Sequence, residues 1–225
     1  MVLLYGEFVG LLYFWAEQIY QQPQPLKYYG LERSQRNLFS LLIGLCLGLL
    51  TLLALFVLEG GLGWLAWQRP TLALPQVILE GLIVALGVGF AEELLFRGWL
   101  LDELERNYSP SVSLWLCSGL FALLHFLRPL PIILQTWPQF LGLLLLSVTL
   151  VWAKRLCQGR LGLAIGLHSG LVWGYYMINV ANLVVYSGQV PVWLTGVDKN
   201  PLAGGMSLLF LGMMALGLQR LAKIR

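Results

Sequence analysis

The chain is 225 residues long; 58% of them are hydrophobic, only 11% are charged, and the mean hydropathy is +0.76. Soluble domains carry about 25% charged and about 45–50% apolar residues, so this composition excludes an ordinary soluble domain and a disordered chain. The net charge of +3, without basic–aromatic runs, excludes nucleic-acid binding, and the three cysteines, Cys46, Cys117 and Cys157, all in apolar stretches, exclude a disulfide scaffold.

What remains is an all-α, polytopic membrane helical bundle in a lipid bilayer. A spanning helix needs about 20 mostly apolar residues. Residues 1–20 are apolar but interrupted by Glu7 and Glu17. They lack a basic leading region and a small-x-small cleavage site, so an uncleaved helix is expected there rather than a signal peptide. A Pro-rich polar loop follows at 21–29, then a charge-free run at 37–58. The loop at 67–75 holds Pro70 and Pro75. Residues 76–101 are strongly apolar yet carry Glu80, Glu92, Glu93 and Arg97.

A break ending at Pro110 restarts a helix in the run 107–127. The breaker at 128–131 precedes the run 129–153. Residues 161–197 hold one helix and a loop, 196–201 are a turn, and 200–219 form the last apolar run. About seven transmembrane helices are expected. They make one integral membrane domain, 1–225: an N-terminal helix and polar loop at 1–37, the chemistry-bearing part at 38–183, and the last helix with a basic tail at 203–225.

Basic residues alternate between loops. Lys27, Arg33 and Arg36, then Lys154, Arg155 and Arg160, then Arg220, Lys223 and Arg225 face single cations at Arg69, Arg128 and Lys199. The positive-inside rule then puts the N-terminus outside and the C-terminus inside. The loop 102–110, with only Arg106, is mostly acidic. A multi-pass protein of a bacterial inner membrane is expected, with which a chain lacking a transit peptide is compatible.

Ionisable groups inside a bilayer are costly and mark function. Glu93 and Arg97 are four residues apart on a helix and can pair. Glu92 is rotated from Glu93 by about 100° and points elsewhere. A paired carboxylate stays ionised, whereas an unpaired one in apolar surroundings suits a general base near neutral pH. The two histidines, His125 and His168, both lie in apolar segments predicted as helices. At 1.5 Å per residue, Glu92 and His168 lie about 15 and 12 Å from the same membrane face, and His125 about 22 Å from a boundary near Pro110.

Two imidazoles and a free carboxylate can bind a divalent metal or orient a water for peptide-bond hydrolysis. The competing structural reading is a buried ionic cluster that merely holds helices together. No His-Glu-x-x-His occurs. Ser169 is adjacent to His168 and so faces away from it. Gly44 and Gly48, and Gly162, Gly166 and Gly170, have the four-residue spacing of close helix packing.

Glu92-Glu93 with Arg97, Phe121-x-x-x-His125 and His168, in this order, resemble the EExxxR, FxxxH and third-histidine motifs of the CPBP family, the CAAX proteases and Abi bacteriocin-processing proteases. The resemblance covers roughly residues 38–183. It implies a helical intramembrane endopeptidase acting on a membrane-associated protein or peptide. Glu92 would activate water, Glu93 and Arg97 would support it, and His125 and His168 would be oxyanion stabilisers or metal ligands. The family chemistry is left open between a glutamate protease and one using a divalent metal such as zinc, held by His125 and His168 with Glu92.

The family's third motif continues with Asn or Asp four residues on, where this chain has Val172; Asn179 and Asn182 follow three to four turns away. Val172 motivates the alternative of a non-catalytic CPBP-like scaffold or assembly factor. A proton-coupled carrier ranks lower, because no internal repeat is visible.

Overall fold

Helix boundaries fall where the sequence supplies caps and breakers. The computed structural model describes residues 2–197 and 200–224; Met1, Asp198 and two of the counted cations, Lys199 and Arg225, lie outside them. Helix α1 (Val2–Gln18) leads through the Pro-rich loop and a single turn, α2 (Pro25–Tyr28), to α3 (Gln35–Gly61). Ser34 caps α3 by accepting a hydrogen bond from the Asn37 amide, satisfying one of the orphan donors of the first turn. Strand β1 (Leu65–Trp67) precedes α4 (Leu74–Glu93), a π-helical segment (Leu94–Leu100) and α5 (Leu101–Asn107), which together make one helical run of 34 residues. Then come α6 (Pro110–Leu124), α7 (Leu130–Thr136), α8 (Gln139–Leu156) and α9 (Gly162–Val180). Strand β2 (Val184–Tyr186), a short α10 (Val192–Thr195), a 3-10 turn (Pro201–Ala203) and α11 (Gly205–Ile224) complete the described chain.

The architecture is an all-α membrane bundle. Among the described residues, four helical runs, α3, α4–α5, α8 and α11, are long and apolar enough to cross a bilayer. Helix α9 is the central element, packed against α3, α4 and α8. It carries His168, Ser169 and Asn179 and is buried along Gly162–Gly170. A helix with these polar groups belongs inside a membrane bundle, where other helices rather than lipid surround them.

The small-residue spacing explains how α9 gets so close to α3. A Cβ on Gly44 or Gly48 would collide with the Leu163 or Leu167 carbonyl, and one on Gly166 or Gly170 with the Leu41 or Leu45 carbonyl. Backbone thus meets backbone, as small-residue interfaces in membranes allow. Gly166→Ala is therefore expected to destabilise the protein by roughly 1–3 kcal/mol. Gly119→Ala, where a Cβ meets nothing within 4 Å, should be neutral or stabilising by up to about 1 kcal/mol. Thermal unfolding of the two variants in detergent checks both.

Three loops expected on one membrane face do converge. The Leu161 amide donates to the Gly30 carbonyl at 3.0 Å, Arg155 pairs with Glu105 at 2.8 Å, and Arg106 packs against Tyr20 and Tyr28. On the other side, β1 and β2 form an antiparallel ribbon with Ala66 opposite Val185.

Three sequence expectations are corrected. The run 129–153 is not one helix. Pro138, which has no amide proton to donate to the preceding turn, separates α7 from α8. Helix α8 continues through Lys154 and Arg155 to Leu156. Lys154 is not a free loop cation but a buried residue bonded to Asp102 and to the Arg97 carbonyl. His125 is not inside a helix; it is the C-cap of α6.

Candidate active site

The site forms where the α4–α5 run changes from α- to π-helical geometry, immediately after Glu93. Such π segments inside α-helices occur often at functional sites. One turn earlier, Gly89 has no Cβ to clash with the Ser169 hydroxyl. This lets α4 lie against α9 and brings the two glutamates to His168.

Arg97 is completely buried. One guanidinium nitrogen, Nη1, donates to Glu93 Oε1 at 3.0 Å, and Nη2 donates to Ser147 Oγ of α8 at 2.8 Å. The guanidinium carbon lies 4.4 Å from the centroid of the Phe121 ring of α6, within cation–π range. The Arg97 carbonyl receives the Lys154 ammonium. One residue thus ties the π segment to α4, α6 and α8 in a place where an unpaired charge would be costly.

Glu93, also fully buried, serves Arg97 and His168 with one oxygen: Oε1 accepts from His168 Nδ1 at 2.8 Å. His125 Nδ1 lies 2.7 Å from the Phe121 carbonyl, which can only accept. Glu93 Oε1, which already accepts from Arg97, accepts here as well. Each histidine therefore carries a proton on Nδ1, and in the neutral ring Nε2 presents a lone pair. Both Nε2 atoms face one atom, Glu92 Oε2, at 3.8 Å from His125 and 3.9 Å from His168. That oxygen is buried and has no hydrogen-bond partner. The remainder of the Glu92 side chain is about 29% exposed and that of His125 27%, against 5% for His168, so the site opens on the Glu92–His125 side.

All five residues expected from the sequence, Glu92, Glu93, Arg97, His125 and His168, come together. Glu93 is the paired carboxylate and Glu92 the free one. Among the described residues, no group of three His, Cys, Asp or Glu is arranged to hold a metal ion. Two imidazole nitrogens and one carboxylate oxygen face each other here without a coordinating geometry.

Val172 lies one turn from His168 on α9, and both line a mostly apolar cavity of about 120 Å³ between α3, α8, α9 and α11. Asn179 donates to the Tyr175 hydroxyl at 3.4 Å, and Asn182 holds Thr71 and Gln68 near the end of α9. Neither asparagine replaces the polar group absent at 172. Sequence reading missed Ser147, Lys154 and Asp102. A lone serine in a leucine-rich run and charges at a helix end carry no signal of their partners.

The bundle places two carboxylates, two imidazoles and a buried guanidinium at one point inside a membrane-type helical fold. Residues 74–174 match the family model described as Type II CAAX prenyl endopeptidase Rce1-like, a segment that begins with α4 and ends within α9. Over this segment the chain is similar to the CPBP/CAAX-protease family. No curated protein and no solved structure matches the chain.

Proposed function

We propose that the protein is an intramembrane endopeptidase in which Glu92 activates the water that attacks a peptide bond of a membrane-associated protein or peptide. The observation that carries this reading is the convergence of two imidazole Nε2 atoms on the unpartnered Oε2 of Glu92. Separations of 3.8 and 3.9 Å are too long for direct hydrogen bonds and short enough for one water to reach both sides.

Glu92 takes a proton from that water, and the water oxygen adds to the scissile carbonyl carbon. His168, its Nδ1–H fixed on Glu93, stabilises the resulting oxyanion in its doubly protonated, imidazolium form, whose Nε2–H donates to it. Collapse of the tetrahedral intermediate breaks the C–N bond, and Glu92 returns the proton to the leaving amine. Glu93 and Arg97 hold His168 in register. No step is routed through a metal, because the donor set does not form a coordinating cluster. A bacterial inner membrane, with the basic loops inside, is the setting we assign.

The test uses purified protein in proteoliposomes with a mixed peptide library, part of it S-farnesylated. Cleavage is expected to survive exhaustive EDTA treatment. It should fall by about 10²-fold or more in His125→Ala and in His168→Ala, with unfolding temperatures near wild type for the half-exposed His125. Loss of cleavage in EDTA that returns with zinc would replace the glutamate mechanism by a metal one. A partner-dependent phenotype that survives Glu92→Gln would favour the scaffold reading instead.

A further inference from the structure

The cavity beside His168 has one wall that the catalytic cluster does not explain. Most of its lining is aliphatic or aromatic, and Val172 sits where a polar side chain one turn from His168 would reach into it. Of its polar lining groups, Ser207 already donates to the Pro201 and Gly204 carbonyls, the Tyr175 hydroxyl accepts from Asn179, and Thr51 stands on α3. Asn200, from the segment leading into α11, is the lining group that carries an amide. Its Oδ1 accepts from the Leu202 amide at 3.0 Å and so fixes the side chain. Its Nδ2 makes no hydrogen bond among the described residues. The segment is firmly seated: Gly142 of α8 has no room for a Cβ because the Leu202 carbonyl lies against it.

Asn200 thus brings a held amide, its Nδ2 without a hydrogen bond among the described residues, to a mostly apolar cavity that His168 also lines. A peptide whose scissile carbonyl lies at Glu92 and His168 can extend its neighbouring backbone past His168 into this cavity, and each carbonyl buried there needs a donor. We propose that Asn200 is a substrate-binding residue whose Nδ2 donates to the backbone carbonyl of the substrate residue next to the scissile bond. It takes over the donor task that Val172 cannot perform. This rests on the endopeptidase reading above.

The test is built on Asn200→Asp, which keeps an oxygen to cap the Leu202 amide and loses the donor. In proteoliposomes with a mixed peptide library, part of it S-farnesylated, KM should rise about tenfold or more, while kcat stays within about threefold. Adding Val172→Asn, which returns an amide to the same cavity, should recover most of the loss. Asn200→Ser, with a capping oxygen too short to reach the substrate, should behave like Asn200→Asp and guards against a folding defect in the charged variant. Unchanged KM in both Asn200 variants overturns the proposal and leaves the endopeptidase reading intact.

A binding arm separates the two. The same peptides, fluorescently labelled, are titrated into Glu92→Gln and into Glu92→Gln with Asn200→Asp. About tenfold weaker binding in the second supports Asn200 even if the wild type cleaves nothing, a result that would sink only the proposed reaction. Equal binding, or no binding to either protein, overturns the proposal.

Discussion

Glu92→Gln is expected to lower single-turnover peptide cleavage by about 10²–10⁴-fold, the range that a positioned general base contributes, and to leave thermal stability unchanged. The substitution preserves shape but removes the ability to accept a proton. Stability should not suffer, because the Glu92 Oε2 atom makes no hydrogen bond in the folded protein and the side chain is partly exposed. The glutamine amide can even donate to a histidine Nε2 lone pair, so the unfolding temperature should be equal or slightly higher. Cleavage by Glu92→Gln at more than a tenth of the wild-type rate would rule out Glu92 as the base.

Arg97→Met should have the opposite profile, with stability lost first. Removing one partner of a buried pair leaves the other charge uncompensated, at a cost of about 3–5 kcal/mol. Here Glu93 would be stranded at zero exposure, and Ser147 and the Phe121 face would lose their partner as well. Replacing both charges, Glu93→Gln with Arg97→Met, should cost less than the two single changes added together, since neither residue is then left as an unpaired ion. At a temperature where the double variant stays folded, cleavage should still be reduced, because His168 Nδ1 no longer faces a carboxylate. Denaturation in detergent and cleavage on the same samples read both effects. Additive losses of stability would mean that the pair is not coupled, contrary to its 3.0 Å geometry.

The value of Arg97 in this arrangement is positional. It joins the π segment to α8 through Ser147 and to α6 through Phe121, and Phe121 in turn stacks near both histidine rings, at 4.6 Å from His125 and 6.2 Å from His168. The side chains to which we assign the reaction thus come from three separate elements and are held by one buried cation. This explains how His125, at a helix end rather than in a helix, still meets residues from the end of α4 and from within α9.

What the sequence determined by itself was the class and the cast. Low charge and long apolar runs dictate a membrane bundle, because such a chain cannot be dissolved in water. The four-residue step from Glu93 to Arg97 dictates their pairing and, with Glu92 turned away, the division into a paired and a free carboxylate. The glycine spacing dictates a close α3–α9 contact. These are local properties of one helix, legible from its period.

Only the tertiary structure decided the rest. The break at Pro138, the π turn after Glu93, the β1–β2 ribbon and the burial of Lys154 each depend on partners far along the chain. Asp102 is the clearest case: it reads as one acid in an acidic loop, yet its ammonium partner comes from α8. Likewise nothing in the spacing of His125 and His168 says that their Nε2 atoms meet at one carboxylate oxygen, or that Asn200 shares a cavity with Val172. Convergence of side chains is a property of how helices pack, and packing is set by surfaces contributed by many segments at once rather than by the pattern within any one of them.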